Sequence, residues 1–192
     1  EIKHLLTTFI NVAKQINQKY PTIIPVVSIA SVRYKAMIEK AVKLSQCPAI
    51  KCYEGHSLHV LQHAHCALVA SGTVSLECAL LKVPSVVAYK FHPFTYWIAT
   101  TFFKKQLSKI TYMALPNIIL NDTLFSECLQ EKVNETHLLQ EIHYIMNEKN
   151  RIMIREKCEQ LYQLLNSKNT LKKVVNEILL LAHRTNDQKT NL

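Results

Sequence analysis

A short turn in the middle of the chain combines residue types that suit the binding of a phosphate. Residues 66–70 predict a buried strand, Ser71-Gly72-Thr73 a tight turn, and the following residues a helix. Gly72 allows a close backbone approach to an anion, and Ser71 or Thr73 can donate a hydroxyl hydrogen bond to it. The N–H groups and the dipole of the helix add to this attraction. Glu77, one turn further on, is badly placed for a phosphate and well placed to accept hydrogen bonds from two ribose hydroxyls.

The glycine content limits the kind of phosphate site that the chain can build. Gly55 and Gly72 are the only two glycines among 192 residues. A Walker A loop and a G-x-G-x-x-G dinucleotide motif are therefore both excluded. The turn indicates a nucleotide diphosphate site built around one glycine. The same residues also fit an ordinary helix start, in which Ser71 is the cap and Glu77 lies on the surface.

Metal and thiol chemistry are poorly supported. Four histidines lie within ten residues, and the second and third share a helix face: His56, His59, His63 and His65. No Asp or Glu lies between Glu54 and Glu77 to complete a ligand set. The six cysteines include no C-x-x-C pair and lie mostly in apolar stretches, which favours a reducing, cytosolic compartment. We predict neither a bound metal nor a cofactor.

The positive charge is concentrated in one part of the chain. Lys and Arg total 23 against 14 Asp and Glu, giving a net charge of +9, and no acidic residue lies between Cys78 and Asn121. This stretch contains an aromatic run and five lysines, a composition that suits a membrane surface with anionic lipids. The same composition suits nucleic acid, or a buried aromatic helix with a lysine rim. The candidate membrane-contacting residues are Lys90, Phe94, Trp97, Lys104 and Lys105.

Helices and strands alternate through the first two thirds of the chain. The predicted helices are 2–19, 32–44, 57–64 and about 73–82, and the predicted strands are 23–29, 49–52, 66–70 and 85–89. Continuous apolar strands between helices indicate an α/β fold, with a parallel sheet covered on both faces. After residue 122 the pattern predicts helices only, at about 123–130, 135–148, 150–165 and 169–183. No apolar run approaches the ~18 residues of a membrane span.

Several longer runs resemble the lipid-A-disaccharide synthase family. They are Ala70–Lys90, Pro93–Ala99, Leu115-Pro116-Asn117-Ile118 and Glu127-Cys128-Leu129-Gln130. Upstream, Glu54-Gly55-His56-Ser57 is similar to a Gly-Gln-Ser turn of the family, with His56 in place of Gln. Glu1-Ile2 is similar to the end of a Gly-Ser-Arg-x-x-Glu-Ile motif. The likeness extends in order over about residues 1–145.

The resemblance implies a glycosyltransferase of the GT-B fold. Residues 1–130 would form the Rossmann-like UDP-sugar-binding domain without its first strand, 131–184 an all-helical C-terminal segment, and 185–192 a frayed tail. The implied reaction moves 2,3-diacylglucosamine from its UDP derivative to 2,3-diacylglucosamine 1-phosphate. It inverts the anomeric carbon, releases UDP and forms a β-1,6-linked disaccharide. No metal is required where backbone N–H groups hold the diphosphate.

The resemblance also implies roles for individual residues. Donor binding would fall to Ser71, Gly72, Thr73, Glu77, Asn117 and Gln130, with Glu77 on the ribose and Asn117 lining the cleft near the sugar or phosphate. The general base would belong to an N-terminal half of the same enzyme, so we expect this chain alone to lack transferase activity. The expected location is cytoplasmic, peripheral at the inner face of the inner membrane.

One departure and two alternative functions accompany this interpretation. Asp122 stands where relatives often carry a basic residue, and it cannot replace such a residue in a substrate contact. One alternative is another GT-B enzyme, a UDP-N-acetylglucosamine 2-epimerase or the N-acetylglucosaminyltransferase of peptidoglycan synthesis. The run Tyr-Lys-x-x-Pro-Phe-Thr-Tyr-Trp argues against both. The other is a non-enzymatic basic module that binds nucleic acid. No recognition-helix motif supports it, so we expect no nucleic-acid partner.

Overall fold

The chain folds into alternating helices and short strands, followed by a pair of long helices. The computed structural model describes residues 2–70, 72–90 and 111–166. The helices are α1 (Ile2–Lys19), α2 (Val32–Leu44), α3 (Ser57–Gln62), α4 (Val74–Leu80), α5 (Leu115–Leu120), α6 (Glu135–Met146) and α7 (Glu148–Leu165). The strands are β1 (Val26–Ile29), β2 (Lys51–Glu54), β3 (Ala67–Ala70), β4 (Ser85–Tyr89) and β5 (Ser126–Leu129). A 3₁₀ turn, Gln130–Lys132, follows β5 directly.

All described strand pairs are parallel. One sheet pairs β1 with β2, and the other has the order β3-β4-β5. Every residue of β4 is buried, as expected for the central strand of a sheet with both faces covered. The predicted α/β class with a Rossmann-like parallel sheet and a helical C-terminal region is confirmed.

The two long C-terminal helices share the core of the three-stranded sheet. Helix α6 packs against α1 and β4, and helix α7 packs against α4. Their buried apolar residues belong to the same cluster as those of β3 and β4: Leu138, Ile142, Ile145, Ile154, Cys158 and Leu161. Residues 131–166 are therefore packed into the body of the molecule, although the sequence pattern changes near residue 130.

Helix α1 lies between two hydrophobic clusters. Leu5, Val12 and Ile16 belong to the large cluster around β3, β4 and β5. Ile10 belongs to a small cluster, whose other buried members are Cys47 and Ile50. One broad apolar face of α1 thus contacts both clusters, while polar residues on the opposite side of the helix are exposed.

The largest error of the sequence-based assignment concerns residues 123–130, which were predicted to be helical. Residues 126–129 instead form β5 and pair with β4, with Val86 opposite Ser126 and Tyr89 opposite Leu129. A four-residue strand with a polar residue and a carboxylate carries no clear period of two. The pairing with a buried neighbour therefore outweighs the local preference.

Helix α5 was not predicted either. It begins at the Leu115-Pro116 pair, where the missing proline N–H costs no hydrogen bond. It ends at Asn121, whose φ of 50° puts it in the left-handed region that commonly follows a helix. The predicted helix at 169–183 and the tail at 185–192 lie outside the described residues. None of the described helices is long and apolar enough to span a membrane.

Burial keeps several cysteines protonated. It raises the pKa of Cys66 and of Cys128 to about 11, and that of Cys158 to about 12. All the described cysteines are free thiols. Since the thiolate is the reactive form, these three side chains are inert in the folded chain.

At pH 8 we expect iodoacetamide to leave Cys128 and Cys158 unmodified in the folded chain and to modify both in urea. The half-exposed Cys52 is the internal reference for a thiol that reagents can reach. Peptide mapping by mass spectrometry gives the extent at each site. Equal rates at Cys52 and Cys158 in the folded chain would contradict the burial.

The same pKa shifts predict a loss of stability in alkali. An unfolded thiol ionises near pH 9, whereas the buried thiols stay neutral to about pH 11 or 12. The stabilisation is therefore complete below pH 9 and is lost as the pH rises towards 12. Urea unfolding of the wild type and of Cys158→Ala at pH 8 and pH 10.5 measures this contribution, because the variant lacks one of the three thiols.

Candidate functional site

The carboxyl ends of three parallel strands bring the predicted donor-binding residues to one edge of the sheet. Ala70, Ala88 and Cys128 lie opposite one another in the ladder. Two residues further along, the three strands are followed by Gly72, Lys90 and Gln130. Because the three strands are parallel neighbours, these positions lie at the same edge of the sheet. Ligands of open parallel sheets bind beyond this edge.

The turn after β3 is open to solvent. Gly72 has a φ of 129°, which L residues rarely adopt, and a Cβ placed there would meet no atom within 4 Å. The Ser75 hydroxyl, fully buried, donates to the Gly72 carbonyl oxygen at 2.9 Å and holds the turn. Ser71 lies outside the described residues. The geometry therefore offers an accessible backbone at the position that sequence analysis selected.

Thr73 is the N-cap of α4 and is exposed, and its hydroxyl makes no capping bond. Leu76 N and Glu77 N both donate to Thr73 O, at 2.9 and 3.0 Å. The N–H groups at the very start of an α-helix lack an acceptor within the helix. Thr73 thus has a hydroxyl that can turn to a ligand beside these N–H groups.

Glu77 is a half-buried carboxylate in the first turn of α4. Among the described residues it forms neither a side-chain hydrogen bond nor an ion pair. Its neighbours in the helix, Cys78 and Ala79, are completely buried. A partly desolvated carboxylate in this position gains from any hydroxyl donors that a ligand supplies.

Asn117 has a different role from the one predicted. Its side chain is completely buried. The amide Nδ2 donates to Phe125 O and to Glu127 Oε1, each at 2.8 Å, and Oδ1 accepts from Leu124 N and Phe125 N, each at 2.9 Å. With its donors and acceptor used inside the protein, Asn117 does not line a cleft. It fixes the segment that leads into β5.

Glu127 is a residue of the site region that sequence reasoning missed. Its carboxylate accepts Met113 N at 2.9 Å and Ala114 N at 2.9 Å, besides the Asn117 amide. It thereby ties β5 to the turn that precedes α5. A carboxylate inside an otherwise apolar stretch is the sequence signal for such a role, because burying it requires several donors.

Gln130 and Lys90 complete the edge of the sheet. Gln130 follows β5 with a positive φ of 48° and begins the 3₁₀ turn, so the chain changes direction there. Lys90 follows β4 and is half-buried. The other candidate membrane-contacting residues, Phe94, Trp97, Lys104 and Lys105, lie outside the described residues.

The histidine-rich segment provides no metal site in the part of the chain that the structure describes. No group of three or more His, Cys, Asp or Glu side chains there is arranged to hold a metal ion. The rings of His59 and His63 are 4.7 Å apart, but His63 Nδ1 donates to the His59 carbonyl oxygen at 2.9 Å. His65 lies against Arg151, with Nε2 2.5 Å and Nδ1 2.9 Å from one guanidinium nitrogen.

Asp122 pairs with the C-terminal helix. Lys157 of α7 donates to Asp122 Oδ2 at 2.6 Å and to the Thr123 carbonyl oxygen at 3.0 Å. The hydrogen bond with Lys157 lowers the pKa of the Asp122 carboxyl below its usual value. The acidic residue at this position thus has a partner inside the chain, and Lys157 supplies a positive charge beside it.

Comparison with known proteins identifies the family of the chain. The family model of lipid-A-disaccharide synthetase matches residues 1–179. The chain belongs to this family. Proteins named lipid-A-disaccharide synthase share 31% identity over 185 residues (Salmonella paratyphi B), 31% over 172 residues (Histophilus somni) and 34% over 156 residues (Vibrio parahaemolyticus).

The likeness covers most of this chain and less than half of each relative. The three matches include 95%, 86% and 80% of this chain. They include only 47%, 43% and 40% of the relatives' own lengths. The described edge of the sheet therefore corresponds to one part of a lipid-A-disaccharide synthetase.

Proposed function

We propose that this chain supplies the donor half of a glycosyltransferase that makes the lipid A disaccharide. The donor is UDP-2,3-diacylglucosamine, and the acceptor is 2,3-diacylglucosamine 1-phosphate. The observation that carries the proposal is the edge of the sheet, where an open glycine turn lies about one helical turn from the half-buried carboxylate of Glu77. Membership in the lipid-A-disaccharide synthetase family supports the choice of reaction.

In this proposal, each residue of the edge contacts a different part of the donor. Ser71, Gly72 and Thr73 bind the diphosphate through backbone N–H groups and hydroxyls. Glu77 accepts hydrogen bonds from the ribose, and Gln130 contacts the donor from the far side of the edge. Asn117 and Glu127 take no part in these contacts and hold the neighbouring turn in place.

The chemistry is a single displacement at the anomeric carbon. The acceptor hydroxyl oxygen bonds to this carbon while the bond from the carbon to the UDP oxygen breaks, and that electron pair leaves with UDP. The hydroxyl proton passes to a base in an N-terminal half of the enzyme. The donor half stabilises the negative charge that grows on the diphosphate. Attack opposite the leaving group inverts the configuration.

Both substrates carry acyl chains, so the enzyme works at a membrane surface. The acid-free stretch from Cys78 to Asn121, with its five lysines and its aromatic run, suits a peripheral contact with anionic lipids. We place the enzyme in the cytoplasm at the inner face of the inner membrane, where the nucleotide-activated donor is available.

A UDP titration tests the donor site directly. We expect the chain to bind UDP more tightly than UMP or ADP, and Glu77→Ala to weaken UDP binding about tenfold, because two ribose hydrogen bonds are lost. Ligand-observed NMR gives the affinities. Glu39→Ala, on the distant helix α2, is the matched control. Equal UDP affinity in Glu77→Ala and wild type would remove Glu77 from the site.

A further inference from the structure

We infer that Lys90 binds the negatively charged diphosphate of the donor, a role different from the membrane contact that its sequence context predicts. The inference rests on the proposed function and adds a cation to its binding site. The residue follows the central strand of the three-stranded sheet. The ladder pairs Ala70 with Ala88 and Tyr89 with Leu129, so Lys90 comes directly after the central strand, between the ends of β3 and β5.

Lys90 lies at the end of a buried strand. The five residues of β4 before it are all buried, and Lys90 itself is half-buried. Lysines commonly bury the aliphatic part of the side chain and keep the ammonium group accessible. An accessible ammonium group at the carboxyl edge of a parallel sheet is in position to bind an anion.

The protein provides no such anion among the described residues. None of the described ion pairs includes Lys90. Glu131, the acidic residue that follows Gln130, is exposed and makes no ion pair with it. The chain on either side, from Cys78 to Asn121, contains no acidic residue. A bound ligand is then the natural source of negative charge.

The neighbouring turn makes a diphosphate the fitting anion. Gly72 leaves open space where a side chain would be, since a Cβ there would meet no atom within 4 Å. Adjacent strands lie about 4.8 Å apart, so an ammonium group from β4 reaches a ligand that contacts the turn after β3. Lys90 thus neutralises negative charge on the diphosphate, whereas the donors of the turn are uncharged and only form hydrogen bonds to it.

The test compares three ligands with the full chain: UDP, uridine and inorganic pyrophosphate. Lys90→Met is expected to weaken UDP about tenfold and to leave uridine binding unchanged, because only the diphosphate loses a partner. Lys90→Arg keeps the charge and is expected to retain most of the affinity. Lys40→Met, on the exposed face of α2, is the matched control. Circular dichroism verifies that each variant is folded.

The outcomes separate this inference from the proposed function. Unchanged UDP binding in Lys90→Met would overturn the inference without contradicting the proposed donor site. If the same variant also lost binding to anionic vesicles, Lys90 would be assigned to the membrane contact instead. Binding of pyrophosphate that depends on Lys90, without any binding of uridine or UDP, would support the anion site and reject the nucleotide. Binding of none of the three ligands would overturn both.

Discussion

Asn117→Leu should lower the free energy of unfolding by about 3 to 5 kcal/mol, since each buried polar group left without a partner costs about 1 to 3 kcal/mol. Leucine has nearly the same size but no amide. The N–H groups of Leu124 and Phe125, both buried, would lose their acceptor, and the Phe125 carbonyl oxygen would lose a donor. Urea unfolding followed by circular dichroism measures the change.

Asn166→Leu is the matched control for this experiment. Asn166 follows the last residue of α7 and is exposed, and among the described residues its side chain makes a single hydrogen bond, to the Tyr162 hydroxyl at 3.2 Å. We expect its replacement to change the free energy of unfolding by less than about 0.5 kcal/mol. If Asn117→Leu cost no more than the control, the buried network would have no stabilising role.

Gly72→Val should reduce UDP affinity at least thirtyfold, corresponding to about 2 kcal/mol of binding free energy. A valine cannot adopt a φ near 129° without strain, so the turn must move. Its branched side chain would also fill the space that is open at Gly72, through which we propose that the phosphate reaches the backbone. The measurement is the same UDP titration, at a temperature where the variant is folded.

Gly55→Val controls for the loss of a turn glycine. Gly55 also has a positive φ, 69°, and a Cβ placed on it would likewise meet no atom within 4 Å, but it follows β2 in the other sheet. Both variants therefore carry backbone strain, and only one lies at the proposed donor edge. Equal losses of UDP affinity in the two variants would contradict the assignment of the turn after β3.

The sequence predicted the helices and strands with a strong periodic or apolar pattern. Residues 32–44 and 85–89 have the predicted bounds, because one is a regular amphipathic helix and the other an unbroken apolar run between turns. The same approach did not recognise the strand at residues 126–129. A strand of four residues with Ser126 and Glu127 in it is recognisable only through its partner strand.

For the candidate site, the sequence predicted where residues lie in the fold better than it predicted what their side chains contact. The turn at Gly72 is where it was expected, at the carboxyl edge of a parallel sheet. Asn117 lies in a recognisable motif, but the motif does not reveal that the side chain turns inward to two backbone N–H groups. Glu127 was passed over because its three donors come from residues 10 to 14 positions earlier in the chain.

The position of α1 between two clusters has a consequence for cooperativity. The small cluster has three buried members, Ile10, Cys47 and Ile50, whereas the large one includes most of the other buried apolar residues. The β1–β2 unit therefore has the lower free energy of local opening. When it opens, α1 keeps its contacts with the large cluster around β3 and β4, so the donor edge survives a fluctuation that exposes β1 and β2. The molecule thus divides into a persistent half that carries the proposed donor edge and a half that unfolds first.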